Sequence, residues 1–362
     1  MPRKRYLLAY QVKARAAKER SDQNQSRPPW SDAILGTTIR PAIYPTPVME
    51  TSMRDIQDTC RIAVVQSRPQ PFDRDACLAG ALDAIRRVAE ERPSDLVVLP
   101  ELLIPGYPHG LTFGFVVGAR EPGSKELWKR YYDGSVVVGG PETEAIADAA
   151  RETGAWVSVG VSERDATSGT LYNTNLVFAP DGHLDAWHRK LKPTGAERLV
   201  WGDAQNHYFP VSQTPWGPMG TLICWENYMP LARAALYQKG VAIYLAPNTN
   251  GNPEWQATVE HIAIEGRCFV VNCAPYLVRD DYPADLLASS EVASLPEVVY
   301  RGGSSVIDPF GHPVPGAEPL WDTDGILYAT LDMQQVPASK WEFDPMGHYA
   351  RPDAVHLEVN DI

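Results

Sequence analysis

Residues 219–236 read MGTLICWENYMPLARAAL. An apolar run leads straight into Cys224, and a polar, aromatic turn follows (Trp225, Glu226, Asn227, Tyr228). Pro230 then opens a run with helical spacing through Leu231, Ala234, Ala235 and Leu236. The pattern is buried strand, sharp elbow, helix. Proline suits the first helical turn, where its missing N–H is not needed. Such an elbow lifts a side chain out of a sheet and aims it near a helix N-terminus. Unpaired N–H groups and the macrodipole favour an anion there, so a thiol is expected to ionise more easily. Free cysteine is also a common small core hydrophobe. The elbow alone therefore leaves Cys224 open between nucleophile and core residue.

Working outward, the same alternation recurs. Residues 61–66 (RIAVVQ) and 95–99 (DLVVL) are short, β-branched and apolar, as buried strands are. Between them, Asp75 is expected to cap a helix with Leu78, Leu82, Ile85 and Val88 on its apolar face, ending before Pro93. Pro141 opens another helix through Ile146 and Ala149, and 155–161 is a strand. Residues 171–179 and 183–189 flank Pro180-Asp181-Gly182, a hairpin signal. Strand–helix units are expected at 220–223, 241–246 and 269–274. Residues 304–307 and 325–331 flank a further turn signal at 308–311, read as a second hairpin. Helices alternating with buried strands argue an α/β layered fold with mixed sheets.

Composition narrows the class. The chain has 362 residues, 44% hydrophobic and 22% charged, which suits a large globular core. A net charge of −12 argues against nucleic acid as a partner. Residues 1–57 differ from the rest. They are basic, then polar, then proline-rich (Pro28, Pro29, Pro41, Pro45, Pro47), and are read as a disordered extension. Their Arg-rich start also fits an organelle transit peptide. The folded domain is placed at 58–354 and a tail at 355–362. The five cysteines (60, 77, 224, 268, 273) form no C-x-x-C pair, which points to a reducing, cytoplasmic setting. No stretch approaches a membrane span or a signal peptide.

Three polar residues sit where core strands end: Glu101, Lys190 and Cys224. Open α/β sheets bind ligands beyond the carboxyl ends of their strands. A carboxylate, an ammonium and a thiol meeting there make a base, an electrostatic stabiliser and a nucleophile. Glu197, seven residues after Lys190, is a second carboxylate able to position the ammonium or a water. Taken singly, each also reads as an ordinary loop or surface charge, and Lys192 shares the strand face of Lys190. No H-E-x-x-H, G-x-S-x-G or G-x-G-x-x-G occurs, and His183 and His188 would face opposite sides of a strand. No metal and no cofactor are expected.

Six stretches then decide between these readings: LPELLIPGYPHGLTFGF (99–115), HRKLKPTGAERLVWG (188–202), LICWENYMPLARAA (222–235), HIAIEGRCFVVN (261–272), RGGSSVIDPFG (301–311) and FDPMGHYARPD (343–353). Together they resemble a nitrilase, within the carbon–nitrogen hydrolase superfamily, over about 61–353. The resemblance implies that Glu101 is the catalytic glutamate and Cys224 the nucleophile. It also implies that Lys190, which precedes two residues and a proline, is the catalytic lysine rather than Lys192. Glu197 becomes the additional active-site glutamate. An αββα sandwich is implied, together with dimers that can extend into helical filaments. Trp225-Glu226 is similar to the nitrile-hydrolysing branch, and Asn227 to aliphatic and plant-type members. Residues 203–206 depart from the Gly-rich run of many nitrilases.

The expected activity is hydrolysis of an organic nitrile to acid and ammonia, with water as co-substrate. Tyr107, Trp201, Trp225 and Tyr228 are expected to line the pocket. An amidase or a nitrile or cyanide hydratase would use the same residues. A silent oligomeric scaffold is the reading from another class.

Overall fold

In every core strand the side chains alternate between two buried environments, and this builds the layers. The structure is a computed structural model that describes residues 56–206 and 208–360. Its strands are β1 (Thr59–Gln66), β2 (Leu96–Val98), β3 (Phe115–Val116), β4 (Ala119–Arg120), β5 (Trp156–Arg164), β6 (Leu171–Phe178), β7 (Leu184–Arg189) and β8 (Val211–Thr214). They continue with β9 (Gly217–Thr221), β10 (Ile243–Pro247), β11 (Phe269–Cys273), β12 (Tyr276–Val278), β13 (Val298–Ile307), β14 (Leu320–Trp321) and β15 (Gly325–Asp332).

One sheet runs β15-β1-β2-β5-β6-β7, and the other β12-β13-β11-β10-β9-β8 with β14 on β13. Each has a parallel centre (β1-β2-β5 and β9-β10-β11) and antiparallel flanks, so both are mixed. Ile62 and Val64 of β1 pack between the sheets with Ile243 and Leu245 of β10 and Val271 of β11. Ala63 and Val65 face the other way, onto Cys77, Ala81, Ile85 and Val88 of helix Arg74–Glu91 and Ile146 of helix Pro141–Thr153. Tyr244 and Ala246 likewise face Leu236 and Val259, from helices Pro230–Gln238 and Trp255–Gly266. The period of two thus meets apolar cover on both faces, which makes the αββα sandwich.

Two expectations need correction, and a third falls mostly outside the described residues. Helix Arg74–Glu91 is capped by Asp73, whose carboxylate accepts from the Ala76 N–H, and Asp75 sits in the first turn. Two aspartates lay within reach of the start, and only the earlier stands outside the helix with the non-helical backbone a cap requires. Residues 304–307 and 325–331 do not form a hairpin. β13 pairs with β11, β12 and β14, whereas β15 crosses to the other sheet and pairs with β1. The N-terminal extension expected at 1–57 lies outside the described residues except for Ile56 and Gln57. These two are tied to the domain: Ile56 packs on the core, and the Gln57 N–H donates to Pro215 O.

Gln66 explains the first glycine of RGGSS, and the Trp321 ring, 2.5 Å from a Cβ placed on Gly303, explains the second. Buried at the end of β1, it donates to Leu320 O and Thr323 O and accepts from the Ser304 N–H, linking the two sheets. Gly302 (φ 82°) and Gly303 (φ 94°) take left-handed conformations, and a Cβ on Gly302 would fall 2.0 Å from the Gln66 amide nitrogen.

A second close approach bears on the site. Beyond β2 the chain bends across β5, and a Cβ on Gly160 would lie 2.4 Å from Pro100 O and 2.6 Å from Glu101 Cα. Gly160→Ala is therefore expected to displace the Glu101 segment and to destabilise the fold by about 1–3 kcal/mol, as overpacking does. Calorimetric melting checks this, and an unchanged Tm with full activity would contradict it.

Candidate active site

Three strand ends converge on one buried ammonium. Lys190 follows β7, and its N–H continues the pairing with β6 by donating to Asn173 O. Its Nζ lies 2.9 Å from Glu101 Oε1 and 2.9 Å from Glu197 Oε2. The Lys190 and Glu101 side chains are both 0% exposed. Burial alone would push the Lys190 pKa down, but the charge of Glu101, joined by that of Glu197, outweighs it and holds the ammonium well above its usual range. Lys192 points outward and pairs with Asp203 at the surface.

Glu101 is gripped from both sheets. Its Oε1 also accepts from Asn173 Nδ2 at 2.7 Å, and its Oε2 from Thr249 Oγ1 at 2.9 Å. Asn173 stands on β6, and Thr249 lies two residues past β10. Glu197 lies in the 3-10 turn Gly195–Leu199. Its Oε2 accepts from the Thr194 N–H at 2.7 Å, closing a capping box, and its Oε1 from the Tyr107 hydroxyl at 2.9 Å. Burial raises the Glu197 carboxyl above its ordinary range, although Lys190 opposes the shift.

Cys224 opens the 3-10 turn Cys224–Tyr228, and helix Pro230–Gln238 begins six residues later. Its φ of 51° is left-handed, an uncommon state for a residue with a Cβ. Asn227 supports it: the side-chain amide donates to Cys224 O at 2.8 Å and Leu222 O at 3.0 Å, and its oxygen accepts from the Tyr244 hydroxyl at 2.6 Å. The expected easing of thiol ionisation is not what the surroundings produce. Burial, and then the Glu101 charge, push the Cys224 thiol well up, against the opposing pull of Lys190 and of the Thr249 N–H. Beside one carboxylate and beneath protein, desolvation exceeds whatever a short turn supplies.

An open cleft of about 380 Å³ reaches this cluster. Cys224, Glu197, Tyr107 and Trp225 line it, together with Thr249, His109 and Tyr300. Trp201, expected in the lining, lies behind Tyr107 (ring centroids 5.7 Å apart) with its indole N–H on Ser162 Oγ. Tyr228, also expected there, stands half-exposed beside the cleft, edge-on to Trp225 and Trp255. Residues 250–252 and 298–301 complete the walls. The sequence reading missed these, along with Asn173, Thr249 and the His109 Nδ1–Tyr300 OH pair at 2.7 Å. Thr249 follows a strand end and could have been found by the rule that found Glu101. Asn173, inside a strand, carried no such signal.

Comparison with known proteins adds the lineage. The family described as Carbon-nitrogen hydrolase matches residues 61–340. A protein named aliphatic nitrilase from Sinorhizobium fredii (strain HH103) is 45% identical over 83% of this chain and 96% of its own. Nitrilase 2 of Arabidopsis thaliana is 40% identical over 83% of this chain and 88% of its own. Among solved structures, Saccharomyces cerevisiae Nit3, described as a member of branch 10 of the nitrilase superfamily, superposes with a TM-score of 0.63 at 21% identity. That match covers 83% of this chain and 99% of Nit3. The chain belongs to the carbon–nitrogen hydrolase family, among its nitrilases.

Proposed function

We propose that the protein hydrolyses an organic nitrile to the carboxylic acid and ammonia through a thioimidate and then a thioester on Cys224. The observation that carries this reading is the buried Lys190 ammonium held between two carboxylates, one of which, Glu197, lines the same cleft as Cys224. Glu101 accepts the thiol proton as sulfur bonds to the nitrile carbon, and the nitrile nitrogen takes that proton. The first water adds to the thioimidate, giving a tetrahedral carbon that bears sulfur, hydroxyl and amine. Loss of ammonia leaves the thioester, and a second water, deprotonated by Glu101, releases acid and restores the thiol. Two of the three N–H bonds of Lys190 go to its carboxylate partners, leaving one for the substrate nitrogen. A high resting thiol pKa fits this order, because charge separates only when a nitrile is present to receive the sulfur.

The names of the two relatives support nitriles, and the first of them supports aliphatic ones. If the tetrahedral carbon expels sulfur before nitrogen, the amide leaves instead, so an amide side product belongs to the same mechanism. Five free, buried cysteines fit a reducing compartment. Self-association is supported by apolar side chains exposed on and beside two adjoining helices: Tyr228, Met229, Leu231 and Ile264.

Cys224→Ala should abolish ammonia release. Glu101→Gln should lower kcat by about 10²–10⁴-fold, the usual worth of a positioned base. Lys190→Ala should be inactive, whereas Lys192→Ala retains most turnover. Activity in purified Cys224→Ala protein would contradict the mechanism.

The pH profile of kcat/KM gives an independent check. Glu197 anchors Lys190 as a carboxylate, and its pKa is raised. Activity should therefore fall, as pH drops, along a limb lying above the ordinary glutamate value of about 4.3. A limb at that ordinary value would contradict the assignment. Light scattering tests assembly: Leu231→Asp should reduce particle size relative to the wild type, and an active wild-type monomer would contradict self-association.

A further inference from the structure

The turn that lifts Cys224 also carries a buried carboxylate which the reaction itself does not use. Glu226 has a fully buried side chain that accepts three hydrogen bonds. Oε2 takes the Ile223 N–H at 2.6 Å and His188 Nε2 at 3.0 Å, and Oε1 takes the Leu191 N–H at 2.6 Å. Ile223 immediately precedes Cys224, and Leu191 immediately follows Lys190. The first amide stands just past β9 in one sheet, and the second just past β7 in the other.

We propose that Glu226 is a positioning residue that fixes the spacing between Cys224 and Lys190 by joining the peptides beside them. A carboxylate is rigid and planar, and each of its oxygens takes one of the two amides. Charge-assisted bonds of this kind are short and directional. A glutamine in the same place has a single acceptor oxygen, so its NH₂ must face one of the two backbone N–H groups. Aspartate keeps the charge but is one methylene short of spanning both. The inference rests on Cys224 and Lys190 being the reacting pair. It adds a consequence for products. Ammonia leaves the tetrahedral carbon before sulfur only while Lys190 stays beside the nitrogen. A slackened Lys190 should let the thiol depart first: the C–S bond breaks, the hydroxyl oxygen becomes the amide carbonyl, and the hydroxyl proton passes through Glu101 to sulfur.

Glu226→Gln and Glu226→Asp test this beside wild type and Cys224→Ala. Short aliphatic and arylaliphatic nitriles are screened first, and the one that wild type hydrolyses fastest is the probe. Ammonia and amide are measured together, with near-ultraviolet circular dichroism and melting to follow the fold. A folded variant should lose about 10²-fold in kcat with KM within about threefold, the pattern of lost transition-state alignment, and its amide-to-acid ratio should rise. The proposal is overturned if folded variants keep wild-type kcat, or if kcat falls while the product ratio stays fixed. It is also overturned if neither variant folds, since Glu226 would then be a folding residue. Turnover by Cys224→Ala would instead contradict the nucleophile assignment, and the positioning role of Glu226, which rests on it, would fall with it.

Discussion

An ammonium taken out of water must be matched by charge within the protein, and at Lys190 that requirement organises the site. Removing one partner of a buried ion pair typically costs about 3–5 kcal/mol, so Glu101 and Glu197 cannot drift from Lys190 without loss. Each anchor is itself anchored. Glu101 is held by Asn173 and Thr249, and Glu197 by Tyr107 and the Thr194 N–H. These residues come from both sheets and from two loops. The two β-layers are thus locked in register by polar bonds at one end, while apolar packing holds the middle.

The nucleophile is held by a different device. Its left-handed backbone is sustained by the Asn227 amide beneath it, and Asn227 is braced by Tyr244 and by Arg233, which donates to Asn227 O. Arg233 in turn is paired with Glu265 of the neighbouring helix. Strain at a reacting residue persists where the surroundings over-determine it, and the hydrogen bonds around residues 222–233 do so. The same burial keeps the thiol protonated at rest, so reactivity comes from the neighbouring base and from a bound substrate rather than from a standing thiolate.

Much of this was legible in the sequence, for local reasons. Buried strands with both faces covered read as continuous apolar runs, and Glu101 and Cys224 each follow such a run, whereas Lys190 follows the second strand of a hairpin. Pro230 marked a helix start because its ring fits only the first turn. What stayed hidden was non-local. Whether β15 returns to β13 or crosses to β1 depends on which sheet has an open edge, and no nearby residue records that. Trp201 is close in sequence to Glu197, but its indole turns inward to Ser162. Asn173 and Glu226 acquire meaning only when residues 72 and 35 positions away fold against them. The helix-end argument for Cys224 failed on magnitude, because desolvation beside a carboxylate outweighs the field of one short turn.

Mass spectrometry of the enzyme quenched in acid during turnover of a slow nitrile tests the central claim most directly. The account predicts a mass increment of the nitrile or its acyl fragment on the peptide containing Cys224, and on none of the peptides with the other four cysteines. Turnover with no adduct at Cys224, or with the adduct at another residue, would contradict it.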